Sequence, residues 1–192
     1  MGSFEKPLIF AIALALALIQ SPAQTAGIDS ALLARANGGD ASAQVLVGES
    51  YAAGKGVAPD LQLAANWYRK AAAQGSVAGE MRLAELYRDG GTGFSRDIAQ
   101  AAAWYGKAAE LGDVDAQGTL GVLYSIGQGV PQSYVEAYYW LDLAAAVKGP
   151  RQQQYAANRQ MVGTHLTVDE VAGIEQRVAK WLAAHPRAKV AQ

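Results

Sequence analysis

One segment occurs three times along the chain and constrains the fold more than any other feature. The first copy, from Asp60 to Gly75, reads DLQLAANWYRKAAAQG, and the second, from Asp97 to Gly112, reads DIAQAAAWYGKAAELG. A looser third copy, SYVEAYYWLDLAAAVKG, runs from Ser133 to Gly149. The copies start 37 and then 36 residues apart. A period of this length is typical of helical repeat arrays, in which stacked helix pairs share a continuous core.

A second recurring half lies between these segments, so each repeat is predicted to contain two helices. Each copy opens on a glycine, and a tyrosine follows 12 residues later. These pairs are Gly39 with Tyr51, Gly75 with Tyr87, and Gly112 with Tyr124. A small residue stands three positions before each tyrosine, namely Gly48, Ala84 and Gly121. Because small residues let helices approach closely, we predict an all-α fold of three tightly packed helix pairs.

Local signals place the helix ends. Apolar residues recur at helical spacing in both halves of each repeat. Glycine-rich turns end the first helices, since glycine tolerates the left-handed conformation of a C-cap. The predicted N-caps of the second helices are Asp60, Asp97 and Ser133. Two reciprocal capping boxes are predicted, one from Ser133 and Glu136 and one from Thr167 and Glu170.

These residues resemble the Sel-one-like repeat family, a relative of the tetratricopeptide repeats. The resemblance rests on a leading G-D-A-x-A-Q, an L-G-x-x-Y, a G-x-G-V turn and a closing A-x-x-W-Y-x-K-A-A-x-x-G, nearly all present in the first copy. The second copy has Gly91-Thr92-Gly93-Phe94 at the turn, and the third has Leu141-Asp142-Leu143-Ala144 in place of Tyr-x-Lys-Ala. The resemblance covers residues 39–149. It implies a right-handed α/α superhelical solenoid that usually binds another protein.

The first 23 residues are predicted to be a signal peptide. Lys6 supplies a positive charge ahead of an apolar run from Leu8 to Ile19, which at 12 residues is too short to span a bilayer comfortably. Ser21 and Ala23 place small residues before a cleavage site after Ala23, and cleavage after Ala26 is an alternative. A retained membrane anchor or a buried helix would also fit the apolar run. Cleavage predicts a periplasmic or secreted protein.

The rest of the chain is predicted to form one domain with a cap at each end. The predicted segments are a capping helix in 24–38, repeats at 39–74, 75–111 and 112–149, two capping helices in 150–186, and a flexible tail at 187–192. The second C-terminal capping helix is amphipathic. Caps are expected because a repeat array otherwise exposes an apolar face at each end.

The composition excludes several classes of site. The chain has no cysteine, which removes disulfides, thiol catalysis and cysteine metal ligands. Its two histidines, His165 and His185, lack the spacing of paired metal ligands, and its glycine-rich turns lack the strand and helix of a nucleotide-binding loop. A formal net charge of −1 argues against nucleic-acid binding. We therefore predict no catalytic residue, no metal and no cofactor.

Charged side chains on the first helices are the main candidates for a binding surface. In helix-pair solenoids these helices usually line the concave face. The positions predicted to be free of packing are Val47, Glu49 and Ser50, then Arg82, Glu85 and Arg88, then Gly118, Val122 and Ser125. Arg82, Glu85 and Arg88 lie three residues apart on one helix and can share a face. With Glu49 they form a predicted recognition patch for a charged partner. The alternative is a solvated face whose charges pair with one another.

The third copy carries extra aromatic residues, which give further candidates. We predict that at least one of Tyr134, Tyr138 and Tyr139 lies at the surface, where tyrosine is favoured in interfaces, and take Tyr134 and Tyr138 as the candidates. An alternative function follows, since a shallow groove lined by glutamate and tyrosine would hold a carbohydrate such as peptidoglycan or exopolysaccharide for binding or processing. A further alternative is a structural module that associates with itself end to end.

The repeat pattern as a whole favours a non-catalytic protein-binding module or scaffold. A stack of helix pairs builds an extended rigid surface without a pocket of convergent polar groups. The resemblance to exported bacterial members of the family implies a role in the bacterial envelope, such as modulating a membrane sensor or an envelope assembly. The expected partner is another envelope protein. The mature chain is expected to be a monomer without stable membrane insertion.

Overall fold

The computed structural model describes residues 27–186, and the predicted all-α repeat fold is confirmed there. The helices are α1 Ser30–Asn37, α2 Ala41–Ala53, α3 Leu61–Ala72, α4 Val77–Asp89, α5 Ile98–Glu110, α6 Val114–Ile126, α7 Tyr134–Ala146, α8 Gln152–Gly163 and α9 Val168–Ala184. The pairs α2–α3, α4–α5 and α6–α7 form the three repeats, with α1 before them and α8 and α9 after them. The predicted signal peptide, its cleavage site and the tail at 187–192 lie outside the described residues.

Each helix from α1 to α8 packs mainly against its neighbours along the chain, as stacking of helix pairs requires. The first helices of the first two repeats, α2 and α4, also meet. Where α2 ends, Gly54 adopts the left-handed conformation with φ of 67° and turns the chain toward α3. Side chains of α2 and α4, which belong to successive repeats, therefore come together on one face of the array.

Side-chain caps fix where the helices begin. The predicted caps Asp60, Asp97 and Ser133 each accept a hydrogen bond from the backbone amide three residues further on. Thr167 and Glu170 form the predicted reciprocal capping box. The box predicted at Ser133 is wrong in its return bond, because the Glu136 carboxylate accepts from Arg177 of α9 at 3.0 Å instead. A contact with a distant helix thus replaces a local one.

The small residue before each repeat tyrosine makes room for the second helix of the pair, as predicted. At Gly121 of α6 an added Cβ would lie 2.7 Å from Leu141 of α7, well inside van der Waals contact. In the second repeat Ala84 takes the same place and is completely buried. The helices of each pair are therefore held at a distance that larger side chains would not allow.

The last helix, α9, folds back against α7, and this accounts for the third repeat's departure from the pattern. Leu143 of α7 takes the place of Lys70 and Lys107 in the earlier repeats, is completely buried, and shares a core cluster with Ile174 and Val178 of α9. The two lysines instead lie over the tryptophan rings of their own repeats, 4.0 and 3.7 Å from the ring centres. The third repeat carries leucine because α9 covers this position.

The helix α8 docks through a ring that fills a glycine position. Tyr155 is buried, and its ring lies so close to Gly118 of α6 that no Cβ fits there. Its hydroxyl donates to Asp115 at 2.7 Å. The prediction that Gly118 is free of packing is therefore wrong. It is also wrong for Val47, which is completely buried against Ala36 beneath α1.

A buried glutamine links each of two repeats to the helix before it. In the first repeat, Gln44 donates from Nε2 to the carbonyl of Ala36, the residue eight positions earlier, at 3.1 Å. In the third repeat, Gln117 makes the same 3.1 Å bond to Ala109. Each of these carbonyls also accepts a backbone N–H, from Gly39 and Gly112 respectively, so the glutamine adds a second hydrogen bond at the end of a helix. Both glutamines are buried, so they act as fixed ties between helices.

The second repeat has a glutamate where the others have this glutamine. Glu80 is 5% exposed, and among the described residues its Oε2 atom has no hydrogen-bond partner. Burial raises the pKa of the Glu80 carboxyl, while Lys107 acts in the lowering direction and Glu110 in the raising one. An ionised carboxylate has no proton to donate. The hydrogen bond that glutamine donates to the preceding helix in the other repeats is therefore missing here unless Glu80 is protonated.

Candidate protein-binding groove

A groove with a volume of about 520 Å³ lies where the first helices of the first two repeats, α2 and α4, meet. Its walls include Glu49 and Ala52 from α2 and Arg82, Glu85 and Asp89 from α4, and Tyr68 of α3 also lines it. Three of the four charged candidates, Glu49, Arg82 and Glu85, are thus brought together on one surface. They come together because stacking aligns the same face of successive first helices.

Arg82 joins the two repeats across this groove. Its Nε donates to Glu49 Oε1 at 2.8 Å on the neighbouring helix, and its Nη1 donates to Glu85 Oε2 at 2.9 Å on its own helix. These bonds raise the pKa of the Arg82 guanidinium, the bond to Glu85 contributing most. The Arg82 side chain is 47% exposed. Because exposed ion pairs contribute only about 0–1 kcal/mol, this network orients the side chains more than it stabilises the fold.

Arg88, the fourth charged candidate, lies at a different contact, the one between α4 and α5 of the second repeat. Its Nη1 donates to the Tyr105 hydroxyl of α5 at 2.9 Å, and its Nε and Nη2 donate to the two carboxylate oxygens of Asp89 at 2.7 and 2.9 Å. The bidentate bond to Asp89 raises the pKa of Arg88 and lowers the pKa of Asp89. The charges of α4 therefore pair with one another in the isolated chain, which agrees with the alternative of a self-paired face.

Tyr68 is the one aromatic side chain in the wall of the groove. Its ring packs on Gly48 of α2 and is 3% exposed. Burial, and then the charge of Glu49, raises the pKa of its hydroxyl to about 12, so the group stays neutral near neutral pH. The repeated Trp-Tyr pair to which Tyr68 belongs is typical of a repeat core, and nothing in that pattern indicates that the hydroxyl also lines a groove. The hydroxyl end of Tyr68 is the part that the groove can use.

The two candidate tyrosines of the third repeat lie elsewhere. Tyr138 is 9% exposed and packs against Gly163 of α8, so this candidate lies in the core rather than at the surface. Tyr134 is half-buried, and one face of its ring stacks on His165 with 4.1 Å between ring centres. Neither residue lines the groove between α2 and α4. The difference arises because α8 and α9 fold over the third repeat.

The chemistry of the described residues is that of a binding surface. Within residues 27–186, no three histidine, aspartate or glutamate side chains converge in a way that would hold a metal ion. Every helix in that range is too short or too polar to cross a membrane. His185 stacks on Trp181, and its Nδ1 lies 2.8 Å from the Trp181 carbonyl. The groove itself offers carboxylates, a guanidinium and a phenol, which suit recognition of polar and charged groups.

The family model described as Sel1 repeat matches the chain three times, at residues 41–76, 77–113 and 114–146. The chain belongs to the Sel1 repeat family. The matches begin two residues later than the boundaries chosen from the opening glycines, which leaves the same helix pairs in each Sel1 repeat. Sel1 repeats generally mediate protein–protein interaction and are typically non-catalytic.

Solved Sel1 repeat structures resemble this chain. A Sel1 repeat protein from Oxalobacter formigenes is 32% identical and covers 67% of this chain and 94% of its own, with a TM-score of 0.58. A second similar structure is c5321, a protective antigen of uropathogenic Escherichia coli strains with an SLR fold. It is 23% identical with a TM-score of 0.46, and the alignment covers 82% of this chain and about half, 49%, of that one. A search among curated proteins found no significant match.

Proposed function

We propose that this Sel1 repeat protein is a non-catalytic binding module of the bacterial envelope and that its partner, another envelope protein, docks in the groove between α2 and α4. The observation that carries the proposal is the network of Glu49, Arg82 and Glu85, which lies open to solvent along a groove between two rigid repeats. The general role of Sel1 repeats in protein–protein interaction supports it.

The groove has the features of a recognition surface. Its charged side chains are partly exposed but held in place by hydrogen bonds, so little conformational entropy is lost when a partner binds. The surrounding helices are anchored by buried residues of both repeats, including Leu83, Tyr68 and Val45. A rigid surface of this kind binds by complementarity of charge and shape.

The envelope location rests on the amino-terminal sequence. The apolar run from Leu8 to Ile19, followed by small residues up to Ala23, has the pattern of an export signal. The absence of cysteine from the chain is compatible with export, because the fold needs no disulfide. Within the envelope, modulation of a membrane sensor or of an assembly fits a chain whose repeats offer a binding surface.

Carbohydrate binding receives less support. That alternative depended on exposed tyrosine rings in the third repeat, where sugar rings would stack. Tyr138 is buried, and one face of Tyr134 is already covered by His165. These two residues therefore do not provide two open aromatic faces on which sugar rings could stack, so we retain a protein as the partner.

A charge reversal with a matched control tests the proposal. Arg82→Glu places a third carboxylate beside Glu49 and Glu85 and should repel or misplace a partner. Arg177→Glu is the control. Arg177 lies on α9, is also 47% exposed, and also pairs with a glutamate that is 33% exposed, Glu136 of α7. Each tagged protein is used to capture partners from the envelope fraction of its own cell, after circular dichroism has shown that both variants fold.

The proposal expects one protein to be retained by the wild type and by Arg177→Glu and lost with Arg82→Glu. Retention that is equal in all three proteins would contradict the groove as the docking site. Retention of polysaccharide without protein would contradict a protein partner and return the function to the carbohydrate alternative.

A further inference from the structure

The repeat register allows the groove beside the first repeat to be compared with the equivalent place in the second repeat. Tyr68 in α3 and Tyr105 in α5 occupy the same position of their repeats, and both rings are almost completely buried. Burial raises the pKa of both hydroxyls to about 12, so both groups remain neutral hydrogen-bonding groups. The first two repeats therefore have the same feature at this position, a tyrosine hydroxyl that reaches the face of the first helices.

What covers the hydroxyl differs between the two repeats. Over Tyr105, the Nη1 atom of Arg88 donates at 2.9 Å, and Asp89 holds the same guanidinium from the other side. The position of Arg88 in the second repeat is that of Ala52 in the first. Ala52 has no polar atom in its side chain and lies in the groove wall. Among the described residues, the Tyr68 hydroxyl accordingly has no hydrogen-bond partner, whereas the Tyr105 hydroxyl accepts from Arg88.

The charges around Tyr68 are suited to a cation. Glu49, Glu85 and Asp89 line the groove together with Lys55 and Arg82. Asp89 is already paired with Arg88, so Glu49 and Glu85, which share Arg82, are the carboxylates that act on Tyr68. Glu49 stands in the first repeat where Glu85 stands in the second, so each tyrosine has a carboxylate at the same place on its own first helix. Arg82 does not take the vacant place, because its hydrogen bonds go to Glu49 and Glu85 and none goes to Tyr68.

We propose that the groove receives an arginine side chain of the partner protein, which lies over Tyr68 as Arg88 lies over Tyr105. This inference rests on the proposed function and names the chemistry of the partner. The incoming guanidinium donates to the Tyr68 hydroxyl and to the carboxylates of the groove. Arg88 shows, within the same chain, that a guanidinium fits against this tyrosine with normal hydrogen-bond distances.

The first test uses small probes on the whole protein as its cell processes it. N-acetyl-arginine amide carries the guanidinium, and N-acetyl-citrulline amide has nearly the same shape without the charge. We expect the arginine probe to shift the NMR signals of Tyr68 saturably, with a dissociation constant on the order of 1 mM for so small a ligand. The citrulline probe should bind at least about tenfold more weakly, because a hydrogen bond from a charged donor is replaced by one from a neutral donor.

The second test fills the site from within. Ala52→Arg supplies the first repeat with the residue of the second, so the new side chain should cover Tyr68 and abolish binding of the arginine probe. Ser125→Arg is the matched control, because it adds the same residue at the same register in the third repeat, where Leu141 replaces the tyrosine. Tyr68→Phe removes only the hydroxyl and keeps the packing on Gly48. It should weaken probe binding by about tenfold.

The outcomes separate this inference from the function on which it rests. Saturable shifts at Tyr68 that are lost in Ala52→Arg and kept in Ser125→Arg support it. Equal binding of the two probes, or binding that Ala52→Arg leaves unchanged, overturns it. If a protein partner is captured equally by wild type, Ala52→Arg and Tyr68→Phe, the arginine site is wrong while the binding module stands. If the arginine probe binds as described but no protein is captured, the site stands and the proposed function fails.

Discussion

The ring of Tyr68 lies so close to Gly48 that a Cβ added to the glycine would be 2.5 Å from the ring. This contact sets the distance between α2 and α3 and places the tyrosine hydroxyl in the groove. We expect Gly48→Ala to lower the free energy of unfolding by about 1–3 kcal/mol, because the ring must move to admit the methyl group. Urea unfolding followed by circular dichroism measures the change.

Gly106 provides the control for this substitution. It also lies inside a helix, α5, but an added Cβ would meet no atom within 4 Å. Gly106→Ala should therefore raise stability by up to about 1 kcal/mol through helix propensity alone. If both substitutions had the same effect, the close approach at Gly48 would not limit the packing.

Glu80→Gln should stabilise the fold, because it restores the amide donor that Gln44 and Gln117 supply in the other repeats. The gain at pH 7 should be about 1–3 kcal/mol, the usual cost of a buried polar group without a partner. Chemical denaturation of wild type and variant gives this difference directly. Glu110→Gln is the control, since Glu110 is an exposed carboxylate next to the same site.

The gain from Glu80→Gln should also depend on pH. Burial raises the pKa of Glu80 above its ordinary value of 4.5, so ionisation destabilises the folded wild type as the pH rises through the raised value. Acidification removes this penalty, and it is gone below the ordinary value. The two proteins should therefore converge in stability near pH 4. A difference that is the same at pH 4 and pH 7 would contradict a proton-dependent tie at Glu80.

Leu143→Lys should loosen α9 from the array. The substitution restores the residue of the first two repeats, but here it places a charge in the core shared with Ile174 and Val178, at a cost of at least about 2 kcal/mol. Hydrogen exchange should show faster exchange in α9 with little change in α2 to α5. Val168→Lys is the control, because Val168 is 85% exposed at the start of α9 itself. Unchanged exchange in α9 would contradict its docking through Leu143.

The amino-terminal prediction is tested by the mass of the protein in its own cell. Cleavage after Ala23 gives a chain that begins at Gln24 and is found in the periplasmic or secreted fraction. Ala23→Arg should block this step and leave the precursor, because a large charged residue does not fit the small-residue requirement at the cleavage site. A wild-type chain that keeps Met1 and fractionates with membranes would favour the retained anchor.

Much of the fold could be predicted because the same sequence pattern occurs three times. The helix pairs, the caps at Asp60 and Asp97, and the tight positions at Gly48 and Gly121 follow from local chemistry that recurs at a fixed period. The charged groove was also partly predictable. Stacking aligns equivalent positions of neighbouring first helices, and Glu49 and Arg82 lie on that shared face.

The third repeat was harder to predict because its surroundings are not those of a repeat. The burial of Tyr138 depends on α8 packing against it, and the fold-back of α9 depends on contacts between residues far apart in sequence. The leucine at position 143 was visible as a departure from the pattern and is the signal that marks the covered face. Ala52 stands at the position of the first repeat that Arg88 occupies in the second, and this difference was likewise visible in the register. Its consequence, an uncovered Tyr68 hydroxyl in the groove, requires the structure.

Photo-crosslinking in the living cell shows whether a protein docks in the groove between α2 and α4. A photoreactive phenylalanine analogue is placed at Ala53, which lines the groove, or at Ala103, which is exposed on α5 outside the groove. Docking in the groove predicts a single crosslinked protein at Ala53 that is absent at Ala103 and lost when Arg82→Glu is added. Equal crosslinking at the two positions, or none at Ala53, would contradict it.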